Sequence, residues 1–208
     1  MAHQFAAIAF TDAVKAAQTR YGTRAQVERM AQHGGPNDAL GAREIDFIAA
    51  RDSFYMATVS ETGWPYVHHR GGPTAFLKVV DSRTLAFADF GGNRQFVSVG
   101  NIATNDRVSL FLMDYANRRR LKLLGRLTMV AAADAPPELA SAVDLADYRA
   151  RIERVALIRV DAFDWNCPQH ITPRYTEDEW RTTMQPLHDR IAALEQGLAQ
   201  SQAQGQGQ

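Results

Sequence analysis

A chain of 208 residues, with 46% apolar and 22% charged residues, is long enough to fill one hydrophobic core, and its composition predicts one domain over 1–198 with helical additions. Lys plus Arg equals Asp plus Glu at 23 each, so no long-range field of one sign steers the protein to nucleic acid or to an anionic membrane, and any anion site must be local. The single Cys167 excludes an intrachain disulfide, Asp12 and Lys15 interrupt the alanine-rich N-terminal stretch, and no apolar run approaches the roughly 18 residues of a spanning helix; the expectation is a soluble cytoplasmic protein.

In chain order, 1–50 reads as a helical extension. Phe5, Ile8, Ala9 and Ala13 share one helical face, Thr23 stands where it can cap Arg24 to Gln32, Gly34-Gly35-Pro36 stops that segment, and Ala42 to Ala50 forms a further short helix. From 51 to 170 the period changes to that of strands, at Phe54–Ser60, Tyr66–Arg70, Ala75–Val80, Thr84–Ala88, Arg107–Met113 and Arg119–Val130. Glu61 to Pro65 is a turn by composition. Short strands with tight turns predict a mainly β fold with added helices, of α+β class: an antiparallel barrel of six strands with N-terminal and C-terminal helices packed on it. A helix over Asn93–Asn105, opened by Gly91-Gly92-Asn93, is expected across the barrel mouth. Pro136–Val143 reads as a short helix and Val155–Phe163 as a strand buried on both faces. The segment 171–198 closes the fold, with Thr176 and Glu179 forming the capping box of a helix that runs to Leu198. The Gln/Gly tail at 199–208 has the composition of a disordered segment.

Several clusters carry possible chemistry. Adjacent strand residues point to opposite faces, so His68 and His69 cannot both ligate one ion, and at most one faces a ligand. Arg70 precedes Gly71-Gly72, a pair that marks either close approach of backbone to a ligand or a bulge. Arg94 is either a surface cation or the guanidinium of a phosphate site, with Asn93 and Gln95 beside it. Arg118, Arg120 and Lys122 share a strand face opposite Leu121 and Leu123, and three like charges require either solvent or an anion. In Asp164 to His170, Cys167 and His170 have half the spacing of a zinc site, but no second pair follows, and no metal is expected. A buried loop anchor is the bland reading of that cluster, against a place for Trp165, Asn166 and His170 beside a cofactor.

Four features occur in order: a strand reaching His69-Arg70; Phe87-Ala88-Asp89-Phe90 followed by Gly92-Asn93-Arg94-Gln95; Asn105-Asp106-Arg107-Val108-Ser109-Leu110-Phe111; and Arg119-Arg120-Leu121-Lys122-Leu123-Leu124-Gly125-Arg126. In that order and spacing the chain resembles the pyridoxamine 5'-phosphate oxidase-like superfamily of FMN-binding split β-barrels, and within it the predicted flavin-nucleotide-binding proteins. The resemblance implies a Greek-key split barrel and a homodimer with FMN at the subunit interface. It also implies redox chemistry supplied by the flavin on a small-molecule substrate or electron donor. Its implied cofactor contacts are His68, His69, Arg70, Gly71, Ala88, Asp89, Asn93, Arg94 and Gln95, with Arg120 and Lys122 reaching across the two-fold axis and Trp165 and Asn166 packing near the flavin. A non-catalytic flavin-nucleotide store or sensor, or a barrel holding haem or a deazaflavin, uses the same fold. The comparable superfamily segment is Ser-Arg-Lys where this chain has Asn93-Arg94-Gln95, so one cation is missing. The Tyr-x-x-x-Arg-x-x-x-Ser pattern with which true oxidases grip the substrate phosphate is not apparent, which leaves the vitamin B6 reaction unsupported.

Overall fold

The computed structural model describes residues 3–145, 148–165 and 167–205. They cluster into two compact units, one of Met1–Asp114 with Arg119–Pro168 and the other of Tyr115–Arg118 with Gln169–Gln208.

The first unit opens with helices α1 (Gln4–Ala9), α2 (Asp12–Arg20), α3 (Arg24–His33) and α4 (Ala42–Ala49). Thr23 stands at the N-terminus of α3 as predicted, but its hydroxyl donates to the Gln18 carbonyl instead of capping α3. The strands are β1 (Ser53–Val59), β2 (Pro65–Gly71), β3 (Lys78–Asp81) and β4 (Thr84–Phe90), then after helix α5 (Val97–Thr104) come β5 (Arg107–Asp114), β6 (Arg119–Ala131) and, after α6 (Pro137–Val143), β7 (Ile152–Trp165). Among the described residues there are seven strands where the pattern predicts a barrel of six, because Val155–Phe163 joins the sheet between β6 and β4. The third strand starts at Lys78 and not Ala75, since Ala75 has φ 66° and the Phe76 N–H closes a turn onto the Pro73 carbonyl.

All pairings are antiparallel, in the order β2-β1-β5-β6-β7-β4-β3, and the sheet does not close on itself. This is the mainly β fold with added helices, the split barrel, that the sequence predicts. Inward alternation fills the core with Phe54 and Met56 from β1, Leu110 and Leu112 from β5, Leu121, Leu123 and Leu127 from β6, and Phe87 from β4, each at most 2% exposed. Phe54 stacks on Phe76 at 5.6 Å and meets Phe87 edge-on at 5.4 Å. The N-terminal helices dock through α4, whose Phe47 and Ile48 enter this core, and through backbone bonds from Leu40 to Ser82 and from Phe163 to Asn37.

Glu44 in the first turn of α4 is buried, accepts from the Gly41 N–H at 3.0 Å and accepts the Trp165 indole N–H at 2.7 Å. It therefore caps its own helix and ties that helix to the end of β7.

In the second unit, the Tyr115–Arg118 turn carries Arg118 at φ 53°, and the Arg174 guanidinium lies 5.2 Å from the Tyr115 ring centre. Helix α7 (Glu177–Gly205) begins with the predicted box: Glu179 accepts from the Thr176 N–H at 2.8 Å, and the Thr176 hydroxyl accepts from the Glu179 N–H at 3.2 Å. It continues to Gly205, into the Gln-rich stretch whose composition predicts disorder, while 206–208 lie outside the described residues.

A register shift in the β6–β7 ladder falls at Leu124/Gly125, and a Cβ on Gly125 would sit 2.4 Å from the Arg159 carbonyl oxygen. The nearest obstacle is paired-strand backbone, which cannot swing aside as a side chain would, and the Ile158 side chain stands 3.0 Å away, so Gly125→Ala should destabilise the fold by about 1–3 kcal/mol or more, read from the urea midpoint; an unchanged midpoint would show that the two strands can separate at the bulge.

Candidate functional site

A cavity of about 200 Å³ opens between β2, the end of β4, the 91–96 loop, the first turn of α5 and the start of β7. Alternation along β2 turns Tyr66, His68 and Arg70 into it and leaves Val67 and His69 pointing the other way. Of the two histidines it is therefore His68 that lines the cavity; the His69 ring lies edge-on to Tyr55 at 5.6 Å.

At the base lies Asp89, 3% exposed, facing Arg154 across the β4–β7 ladder. Its Oδ2 accepts from Arg154 Nε at 2.8 Å, and its Oδ1 accepts from Arg70 Nη1 at 2.5 Å. Arg154 also donates to Glu153 at 3.0 Å. With Arg94 on the rim, three guanidiniums face two carboxylates, which leaves an excess of one positive charge when His68 is neutral. His68 is held neutral: burial first, then the nearby Arg70 charge, lowers its pKa below the ordinary 6.5.

The predicted helix over Asn93–Asn105 starts four residues later, at Val97. Arg94 and Phe96 both adopt left-handed backbone, with φ 59° and 53°, and the Asn93 side chain accepts the Gln95 N–H at 3.2 Å, a local turn that competes with helix. Arg94 is thus in the loop ahead of the helix, exposed, and among the described residues it forms no hydrogen bond or ion pair. The first turn of α5 has no side-chain cap. Within that turn Ser98, 3% exposed, lines the cavity, and its Oγ has no hydrogen-bond partner; Arg70 Nε is likewise buried and unpartnered. Asn101 one turn on donates to the buried Thr58 hydroxyl at 2.9 Å and fixes α5 against β1.

Of the residues expected to contact a cofactor, His68, Arg70, Asp89, Asn93, Arg94 and Gln95 meet in this cavity. His69, Gly71 and Ala88 line an adjoining hollow of about 210 Å³, which shares Arg70 with the first. Gly72 serves packing: a Cβ there would meet the Phe76 ring at 2.9 Å. Three others are elsewhere. Arg120 stands on the outer face of β6, paired with Met113; Lys122 on that face bridges to Asp164 at 3.2 Å; Trp165 bonds Glu44 and lies edge-on to Phe47 at 4.8 Å. Asn166 lies outside the described residues. Cys167 is exposed, and among the described residues no three His, Cys, Asp or Glu side chains could hold a metal ion. Ser98, Glu153 and Arg154 escape the sequence reading. For Ser98 the reason is that Gly92-Asn93 imitates the helix start and places the serine in mid-helix. For Arg154 only strand pairing with β4 reveals its partner.

Two outcomes follow from this geometry. Asp89→Asn removes the buried charge that holds two half-buried guanidiniums and should cost about 3 kcal/mol of stability by urea unfolding; a loss under about 1 kcal/mol would mean that solvent screens the triad. Because the folded-state pKa of His68 is depressed, the unfolded chain takes up its proton first, so stability present above 6.5 is lost as pH falls through the unfolded and then the folded value. His68→Asn should therefore flatten the fall in urea midpoint below pH 6.5, and an equally steep fall would show that His68 titrates as it does in the unfolded chain.

The family model of pyridoxamine 5'-phosphate oxidase matches residues 43–166. No curated protein matches the chain. Among solved structures it is similar to HupZ of Group A Streptococcus, with 14% identity over 65% of this chain and 100% of that one and a TM-score of 0.49. It is also similar to an FMN-binding protein from Syntrophomonas wolfei, with 10% identity over 72% and 97% and a TM-score of 0.47. A third is General Stress Protein 26 from Bacillus anthracis, with 14% identity over 59% and 91% and a TM-score of 0.40. With the family model spanning more than half of its length, this chain belongs to the pyridoxamine 5'-phosphate oxidase-like family.

Proposed function

We propose that the chain is an FMN-binding flavoprotein, an oxidoreductase acting on a small-molecule substrate or electron donor in the cytoplasm. The observation that carries this reading is the Ser98 hydroxyl, buried in the uncapped first turn of α5 with no partner of its own. Leaving such a group unmatched costs about 1–3 kcal/mol, so it marks a place where a ligand atom belongs.

A phosphate monoester fits the donor set. It carries about −1.5 to −2 charges near neutral pH and three strong acceptor oxygens. The cavity supplies the Ser98 O–H, first-turn N–H groups at the positive end of the α5 dipole, the unpaired Arg94 guanidinium and a surplus of positive charge. Arg70 Nε adds a second unpartnered donor, and its guanidinium is held in place by Asp89. Neutral His68 presents a ring nitrogen without adding a cation. When bound, the flavin supplies the two-electron chemistry; the residues here bind and orient it.

At about 200 Å³ the cavity falls below the ~300–1,000 Å³ of a site that encloses a whole drug-sized ligand. It suits the phosphate end of the nucleotide, and the ring system then needs a wall from outside this cavity. A second copy of the chain is the wall we propose, in a homodimer with the flavin at the interface. The outer sheet face supports that reading, because Tyr55 and Val67 stand 41% and 61% exposed there on neighbouring strands, Tyr55 opposite His69 and Val67 opposite Ala57. On this reading Arg120 and Lys122 on the outer face of β6 contact the nucleotide of the partner, and Trp165 and Asn166 close the end of the site.

Purified protein incubated with FMN and desalted should retain a flavin spectrum at near one equivalent per chain. Arg94→Ala and Ser98→Ala should each weaken FMN binding by about 1.5–3 kcal/mol, the range for a hydrogen bond to a charged group, without moving the urea midpoint. Unchanged affinity in both variants would remove the phosphate from this cavity. Anaerobic bleaching of the bound flavin by NADH, NADPH or a candidate substrate is expected of an oxidoreductase, and a flavin that no donor reduces would point instead to storage or sensing.

A further inference from the structure

Helix α7 presents a second feature that the flavin site does not use. Its large apolar residues are Trp180, Met184, Leu187, Ile191, Leu194 and Leu198, separated by four, three, four, three and four residues. That is the a/d repeat of a two-stranded coiled coil, with Met184, Ile191 and Leu198 at a and Trp180, Leu187 and Leu194 at d. Trp180, Leu187, Ile191, Leu194 and Leu198 are each more than half exposed. Two further details favour pairing. Pro186 within the helix removes one backbone hydrogen bond and costs about 3 kcal/mol in a helix interior, but at position c it faces away from the seam. A lone helix with that defect is marginal in water, and burial of its apolar stripe is the usual source of stability.

We infer that α7 pairs with α7 of a second copy of this chain as a parallel, in-register two-stranded coiled coil. Charge selects the partner and the direction. Arg190 is at g and Glu195 at the following e, five residues on, which is the spacing that brings g of one strand against e of the other in a parallel pair. β-branched Ile191 at a between Leu187 and Leu194 at d is the arrangement that favours two strands. An anionic membrane surface suits the helix poorly, because Glu177, Asp178, Glu179, Asp189 and Glu195 outnumber Arg181 and Arg190. The inference stands apart from the flavin reading and uses none of its residues.

The test uses the full chain carrying Cys167→Ser, with cysteine introduced one position at a time and oxidised under dilute conditions. In a parallel in-register pair a d residue sits beside its own copy, within disulfide reach, while position c points outward. Leu194→Cys should therefore cross-link to a covalent dimer on the order of tenfold faster than Ala193→Cys, its neighbour at c, with circular dichroism unchanged in both. Adding Arg190→Glu to Leu194→Cys should slow the cross-link several-fold, and combining Arg190→Glu with Glu195→Arg should restore it. Equal rates at 193 and 194 would overturn the pairing. Cross-linking confined to a mixture of Leu187→Cys and Ile191→Cys chains would show antiparallel helices, and indifference to charge reversal would discard the parallel register.

Discussion

The barrel is held shut at one place by charge and not by a hydrogen-bonded ladder. Strands β2 and β4 stand first and sixth in the sheet order, and the gap between them is spanned by Arg70 reaching Asp89, with Arg154 on the other carboxylate oxygen. With both oxygens engaged, Asp89 is satisfied in a site where a lone charge would be costly, and the two guanidiniums are fixed in orientation. That single anchor makes the split edge into a cavity wall, so the geometry of the site and the closure of the fold depend on the same three side chains.

What the cavity can bind follows from what this anchor leaves over. Asp89 and Glu153 consume most of the positive charge nearby, and the remainder is on Arg94, which the 91–96 loop carries in left-handed backbone ahead of α5. Non-glycine residues in that conformation store strain of about 1–3 kcal/mol each, which persists only where the surroundings enforce it. The cross-link from Asn101 to Thr58 holds α5 to β1 and so fixes the helix whose uncapped first turn carries Ser98 into the cavity lining. Burial of Ser98 without a partner and exposure of Arg94 without one are the two features on which the proposed anion site rests.

Much of this was legible in the residues. Strand periodicity located six strands of the barrel to within a few residues, the apolar run at 155–163 read as a strand without joining the predicted barrel, and the order of the His-Arg, Asp-Phe, Asn-Asp-Arg-Val and Arg-Leu-Lys-Leu segments was sufficient for the family. Six of the residues expected at the site converge. Legibility failed where local signals compete: Gly92-Asn93 looks like a helix cap, yet Asn93 turns the chain onto Gln95 and the helix waits until Val97. It failed again for the paired glycines, since Gly72 makes room for Phe76, a residue whose position depends on the turn at Ala75.

The sequence by itself determined the periodicities, the capping box of α7, the heptad spacing of its apolar residues and the local character of any anion site, because these rest on neighbours within a few positions. Only the tertiary structure decided which of His68 and His69 faces the cavity, that Asp89 is shared by Arg70 and Arg154, that Glu44 receives Trp165, and that Ser98 is buried unpaired. Each of those depends on strands distant in the chain coming into register, and a one-residue change in pairing would turn every such side chain to the opposite face.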